Sequence, residues 1–84
     1  MEECRALRYA LKDQPLAIGI AGRPLLFYKR GVFNSCPEDT RIDHAVVLIG
    51  YEYGKGWKIK NSWGTSWGEN GFAWIGDGNT CNIC

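Results

Sequence analysis

The sequence predicts an α+β fold, one amino-terminal helix followed by antiparallel strands, on three observations. The first dozen residues repeat apolar side chains at helical spacing. A long β-branched run, "DHAVVLIGYEY" at 43–53, is followed across a glycine-bearing turn by "WKIKNSW" at 57–63. No helical period returns afterwards, so the order is a helix and then strands, not the alternation of an α/β repeat. The 84 residues allow one domain at most. A domain this small often needs a covalent staple, and four cysteines can supply one.

Residues 2–12 read as the helix, with Cys4, Leu7 and Leu11 on one face at i, i+3 and i+7. Glu2 and Glu3 suit the positive end of its dipole. "DQP" stops it, because a residue before proline resists helical geometry. "LAIGI" at 16–20 is a short apolar strand, expected to be buried on both faces or nearly so. Its Gly19 weakens the strand and marks a place where backbone or ligand comes close. "AGRP" breaks the strand. In "LLFYKRGVF", Leu25, Leu26, Phe27 and Phe33 are expected to hold an irregular segment against the core. "NSCPEDT" is loop by composition. The run at 43–53 is the strongest strand of the chain. "YGKG" turns it, and in the returning strand Trp57, Ile59 and Asn61 share one face while Lys58, Lys60 and Ser62 share the other. "GTSWGENG" is a glycine-rich loop, "FAWIG" a last strand, and "DGNTCNIC" a terminal loop.

Composition excludes several classes of function. Net charge is +1 with both signs interspersed, so nothing draws the chain to nucleic acid or a membrane surface. No apolar run approaches the roughly 20 residues of a spanning helix. The charged, helix-periodic start does not read as a secretory signal. Trp57, Trp63 and Trp67 fall within eleven residues, with Trp74 close behind. Such density makes either a compact core or the wall of a cleft.

His44 is the chain's single histidine and opens the strongest strand. As structure it is a half-buried ring with a satisfied nitrogen. As chemistry it is a general base whose second nitrogen is held by a partner. A hairpin turning at "EYGKG" brings Asn61 back to it, and an asparagine carbonyl can accept the imidazole N–H, fixing ring and tautomer. A neutral partner suits a histidine that pairs with a thiolate. Trp63 and Trp67 stand where they can cover that hydrogen bond. A metal site built from Cys81, Cys84 and His44, joined by Cys36 or Cys4, is a competing reading of the same residues.

"DHAVVLIGY" followed by "WKIKNSWGTSWGENGF" resembles the carboxy-terminal half of the papain-like cysteine proteases, the papain and cathepsin family. "LKDQPLAIGI", "FYKRGVFNSCPED" and "GNTCNI" extend the resemblance over essentially the whole chain. It implies a barrel-like, twisted antiparallel sheet and a cysteine-type endopeptidase that uses no cofactor or metal. It assigns His44 as the base of a Cys–His pair, Asn61 as its orienter, Trp63 as a shield and Trp67 as support on the leaving-group side. Gly19, Asp43 and Ala45 match positions near the substrate cleft, with Gly19 and Ala45 bordering the pocket for the second residue upstream of the cut. It bridges Cys36 with Cys81. Cys4 and Cys84 are then left to form a second bond, and two bridges imply an oxidising compartment, a lysosome, vacuole or the exterior.

The family's nucleophile motif, Q-G-x-C-x-x-C-W, has no match here. Gln14 is followed by proline, Cys4 lacks the glycine-rich approach, and Cys36, Cys81 and Cys84 lie in loops. Residues 1–84 are therefore expected to be the histidine-bearing half of a peptidase domain, inactive alone. The expected partners are a peptide substrate and the absent amino-terminal half, with no nucleic acid and no membrane. A fragment, a processed light chain and a decayed, non-catalytic binding homologue all fit. Without the other half, His44 and Asn61 are expected to be unusually exposed.

Overall fold

The computed structural model describes residues 4–36 and 41–84. Helix α1 (Arg5–Leu11) precedes β1 (Leu16–Ile20), a 3-10 turn at Arg23–Leu25, and the two-residue β2 (Val32–Phe33). Then come β3 (His44–Glu52), β4 (Gly56–Lys60), β5 (Phe72–Gly76) and a last 3-10 turn at Thr80–Asn82. The fold is α+β, with one α-helix among the described residues, at the amino-terminal side. Glu2 and Glu3, expected to open the helix, lie outside the described residues, as does part of the "NSCPEDT" loop. Leu7 and Leu11 pack against the core beside the fully buried Cys4, although no residue of α1 is itself buried.

The strands form one open sheet in the order β1-β3-β4-β5-β2. The barrel-like, wholly antiparallel expectation is corrected in two details. The sheet has two edges, and β2 runs parallel to β5, pairing Val32 with Trp74 and Phe33 with Ile75. Two residues are too short to show a period, and their partners lie 42 residues further along the chain.

β1 also differs from expectation. It is an edge strand, so Leu16, Ile18 and Ile20 turn inward while Ala17 and Gly19 are exposed. The small residues at the outward positions were the available cue. In the next segment Leu25 is fully buried, but Leu26 and Phe27 point outward, Phe27 with 90% of its surface exposed. The 3-10 turn gives Leu25 the core position and directs the following two side chains away.

The β3–β4 hairpin carries the core. Leu48 pairs with Ile59, and both are fully buried with Trp57, Ile20, Leu25 and Ile75. An irregularity between Leu48 and Gly50 shifts the register by one residue. That bulge returns Tyr51 to the face of Trp57, where the rings meet at 4.6 Å. Gly56 closes the turn at φ 132°, and a Cβ there would collide with the backbone of β5.

Asp77 ties this end together. Its carboxylate accepts the Tyr51 hydroxyl at 2.8 and 2.9 Å and the Gly78 N–H at 2.8 Å. Arg8 lies 5.5 Å from the Tyr51 ring centre. Burial pulls the Asp77 pKa up, but the bonds from Tyr51, Gly78 and Gly54 and the Arg8 charge outweigh it, so the net shift is downward. A depressed carboxylate pKa stabilises the fold above the unfolded value, about pH 4, and the contribution fades as pH falls through the folded value. Asp77→Asn is therefore expected to lower the urea midpoint modestly at pH 7 and not at pH 2. Equal losses at both pH values would contradict the charge's role.

Candidate active site

His44 begins β3 and pairs with Ile20 at the end of β1. The last pair of the β3–β4 ladder is Val47 with Lys60, so the next residue, Asn61, emerges beside the start of β3. His44 Nε2 and Asn61 Oδ1 are 2.7 Å apart. The Ser62 backbone N–H also donates to that oxygen, at 2.7 Å. A backbone N–H can donate only to the amide oxygen, which fixes the orientation of the Asn61 side chain. The atom facing His44 is then an acceptor, so Nε2 must carry the proton. In the neutral ring Nδ1 then carries the lone pair.

Trp63 stacks on the imidazole, ring centres 4.6 Å apart and planes 27° apart. Trp67 meets Trp63 edge-on at 5.3 Å. Its own indole N–H donates to the Leu25 carbonyl at 3.0 Å, and its ring leans on Tyr28. Trp67 is thus fixed from below and positions the ring that covers His44.

Contrary to expectation, Asn61 is only 5% exposed, while His44 is half-buried. The glycine-rich loop folds back over the asparagine. Asn61 N–H donates to the Gly71 carbonyl at 2.9 Å, and Gly71 N–H to the Trp67 carbonyl at 2.8 Å. Asn61 Nδ2 is buried with no hydrogen-bond partner among the described residues.

Tyr28 is a support that sequence reasoning missed. Its hydroxyl donates to the Gly31 carbonyl at 2.6 Å and lies 3.3 Å from Glu69, which also accepts the Gly31 N–H at 2.8 Å. Burial, ahead of the Glu69 charge, raises its pKa, so the phenol stays neutral. A tyrosine within an irregular apolar stretch carries no signal of such a role.

The residues matched to the cleft form a second group. Asp43 is exposed at the strand entrance, where its carboxylate accepts the Gly22 N–H at 2.9 Å and its own N–H donates to Ile20 at 3.2 Å. Gly22 packs directly under the imidazole, where a Cβ would come within 2.5 Å of His44 Cβ. With Arg23, Leu26 and Trp63, these residues line a cavity of about 190 Å³. Gly19 and Ala45 are direct cross-strand partners, both exposed. The Ile42 side chain leans over Gly19, so close that a Cβ on Gly19 would stand 2.9 Å from Ile42 Cγ2. Ile42 is a further member of this wall, and its apolar side chain next to the polar Asp43 was the cue available.

All four cysteines are in disulfides, Cys4 with Cys84 and Cys36 with Cys81, each pair with α-carbons 5.2 Å apart. The competing metal reading loses its ligands, because Cys81 and Cys84 sit in different bridges and neither is a thiolate. Among the described residues no group of three or more His, Cys, Asp or Glu side chains converges. No helix among them is long and apolar enough to cross a membrane.

A histidine held by an asparagine and roofed by a tryptophan thus sits on the antiparallel hairpin of an α+β fold. The chain belongs to the papain family cysteine proteases, whose sequence model matches residues 1–84. Cathepsin L 2 of Paramecium tetraurelia is 37% identical over 84 residues, covering all of this chain and 26% of that protein. Papain of Carica papaya is 42% identical over 84 residues, covering 94% of this chain and 24% of papain. Among solved structures, a Carica candamarcensis cysteine protease in complex with E-64 superposes with a TM-score of 0.83 at 37% identity, covering 94% of this chain and 39% of that one. The chain thus spans about a quarter of the length of the curated relatives it matches.

Proposed function

We propose that residues 1–84 are the carboxy-terminal, histidine- and asparagine-bearing half of a papain-like endopeptidase domain, working with a nucleophilic cysteine supplied from outside this chain. The single observation that carries the reading is the 2.7 Å contact between His44 Nε2 and Asn61 Oδ1, in the one tautomer that leaves Nδ1 free. In the assembled site Nδ1 takes the thiol proton, and the imidazolium pairs with the thiolate. The thiolate attacks the peptide carbonyl, and His44 then protonates the leaving amine, giving an acyl-thioenzyme that water hydrolyses. Asn61 holds the ring through both proton transfers, and Trp63, backed by Trp67, keeps water from the bond that does so. Gly19 and Ala45, with Ile42, border the pocket for the second residue upstream of the cut, and Asp43 stands at the cleft rim. Peptides and proteins are the substrates. The family and two disulfides favour a lysosome, a vacuole or the exterior.

A second reading, a non-catalytic homologue that binds peptides, is favoured by the absence of any free thiol. Joining the chain to the cysteine-bearing half of a related protease separates the two. Hydrolysis of a fluorogenic peptide that depends on His44 supports the peptidase, whereas peptide binding without turnover supports the second reading. The chain alone is expected to be inert, because a base with no thiolate to activate cannot start the covalent step. An epoxide reagent should therefore label no cysteine of the isolated chain. Rapid labelling that requires His44 would instead make this a complete small enzyme.

A further inference from the structure

The segment between the first 3-10 turn and β2 carries a feature that the peptidase chemistry does not use. Lys29-Arg30 is the one pair of adjacent basic residues in the sequence. Residues 29–32 are exposed in succession, after the buried Tyr28 and before Phe33 packs against the core. Among the described residues no backbone hydrogen bond or ion pair holds Lys29 or Arg30. Gly31 follows at φ 81°, with no atom within 4 Å of where a Cβ would stand. An endoprotease must draw its substrate segment into an extended strand, and a stretch without ladder bonds yields to that most easily.

The two sides of the Arg30–Gly31 bond are anchored separately. Upstream, Tyr28 packs on Trp67 and Phe33, β1 pairs with β3 along five residues, and Cys4 is bonded to Cys84. Downstream, Val32 and Phe33 pair with β5, and Cys36 is bonded to Cys81. The Tyr28 hydroxyl, from the upstream side, donates to the Gly31 carbonyl at 2.6 Å. A cut between Arg30 and Gly31 therefore leaves one molecule, its pieces 1–30 and 31–84 joined through Cys4–Cys84. The nitrogen that such a cut would free is already aimed at a carboxylate, since Gly31 N–H donates to Glu69 Oε2 at 2.8 Å.

We propose that Arg30–Gly31 is a processing site for an endoprotease that reads paired basic residues, and that the amino terminus it creates locks onto Glu69. Water adds across the peptide bond. The Arg30 carbonyl carbon gains the hydroxyl and becomes a carboxylic acid, and the Gly31 nitrogen leaves as an amine. At neutral pH the acid's proton passes to the amine, giving a carboxylate and an ammonium. The hydrogen bond to Glu69 becomes an ion pair without movement of either partner, and charge-assisted bonds are the stronger kind. Glu69 belongs to the loop whose Gly71 carbonyl receives the Asn61 N–H, so the lock keeps that loop tied to β2 after the cut.

The test is brief exposure of the folded chain to trypsin, which can cut after any accessible lysine or arginine, and in parallel to a kexin-type endoprotease, which requires a basic pair. Both should cut first at Lys29-Arg30. The intact mass should rise by one water, and the two pieces should separate only after the disulfides are reduced. Arg30→Gln should slow the kexin-type cut about 100-fold or more. A first tryptic cut elsewhere, such as after Lys12 or Arg41, or resistance to the kexin-type enzyme, would overturn the site. In the cut chain the Gly31 amino group faces the Glu69 carboxylate and the neutral Tyr28 phenol. Followed through its Cα signal by NMR, it should hold its proton above the ordinary α-amino value of about 8. Glu69→Gln should return it to that value. An ordinary value with Glu69 in place, or a raised value that persists in Glu69→Gln, would overturn the lock.

Discussion

In the assembled peptidase, His44→Ala is expected to abolish turnover, a loss on the order of 10⁴-fold or more, while Asn61→Ala leaves a measurable enzyme. The asymmetry follows from what each atom does. His44 is the chain's single histidine, so no second imidazole of this chain can take the thiol proton or return it to the leaving amine. Asn61 moves no proton. Its Oδ1 holds Nε2–H at 2.7 Å and is itself fixed by the Ser62 N–H at the same distance. Losing one hydrogen bond to a group that becomes charged costs roughly 1.5 to 3 kcal/mol, or about 10- to 100-fold in rate. The stacked Trp63 still restrains the ring when Asn61 is gone. Initial rates on a fluorogenic peptide measure both losses. Equal collapse of the two variants would mean that Asn61 acts on the fold rather than on the ring, and normal turnover without His44 would remove the assignment altogether. The nitrogen-15 shifts of the lone imidazole give a reading independent of activity, with Nε2 protonated in the unaltered chain and a mixture of tautomers in Asn61→Ala.

The parts of this arrangement that sequence could reach are those fixed by local geometry. Trp57, Ile59 and Asn61 share one face because strand side chains alternate, and the glycine-bearing turn sets the return of β4. The meeting of His44 and Asn61 needs only those two facts. What escaped depends on neighbours distant in sequence. Within "LAIGI" the small Ala17 and Gly19 hint at the outward face, but the strand's place at the sheet edge was hidden until the strand order was known. Val32 and Phe33 join the sheet because β5 offers them a parallel edge, which two residues cannot announce. Asn61 is buried because Gly71 turns back onto its N–H, a long-range closure written in a loop whose glycines predict only a loop. Ile42 escaped for a related reason, since its place against Gly19 is created by the pairing of β1 with β3. That no cysteine stands in the nucleophile's context was legible directly, and the structure adds that all four are in disulfides.

Reduction of the disulfides is expected to unfold the chain, and the two bonds should fail differently. Cys4–Cys84 closes a sequence separation of 80, and Cys36–Cys81 one of 45. Loop-closure entropy assigns roughly 4 to 4.5 kcal/mol to each, less in combination because the loops overlap. A domain of this length has a total stability of roughly 4 to 13 kcal/mol, so losing both leaves little or none. α1 has no buried residue and docks through Leu7, Leu11 and the fully buried Cys4. Cys4→Ser/Cys84→Ser should therefore release the helix first, lowering helical circular dichroism and the urea midpoint. Cys36–Cys81 is coupled to the site instead. Cys81 and Asn82 are held at φ 56° and 59°, a left-handed conformation costly for residues with a side chain. The Cys81 carbonyl accepts the Ala21 N–H at 3.0 Å, and the next residue, Gly22, supports Asp43 and packs under His44. Freed of its bridge, Cys81 can relax and let that hold go. Cys36→Ser/Cys81→Ser should then broaden or shift the His44 signals in the folded protein at low temperature, whereas the Cys4 pair should leave them in place. If both pairs lower the urea midpoint and leave His44 alike untouched, the strained turn serves stability only and has no part in seating the base.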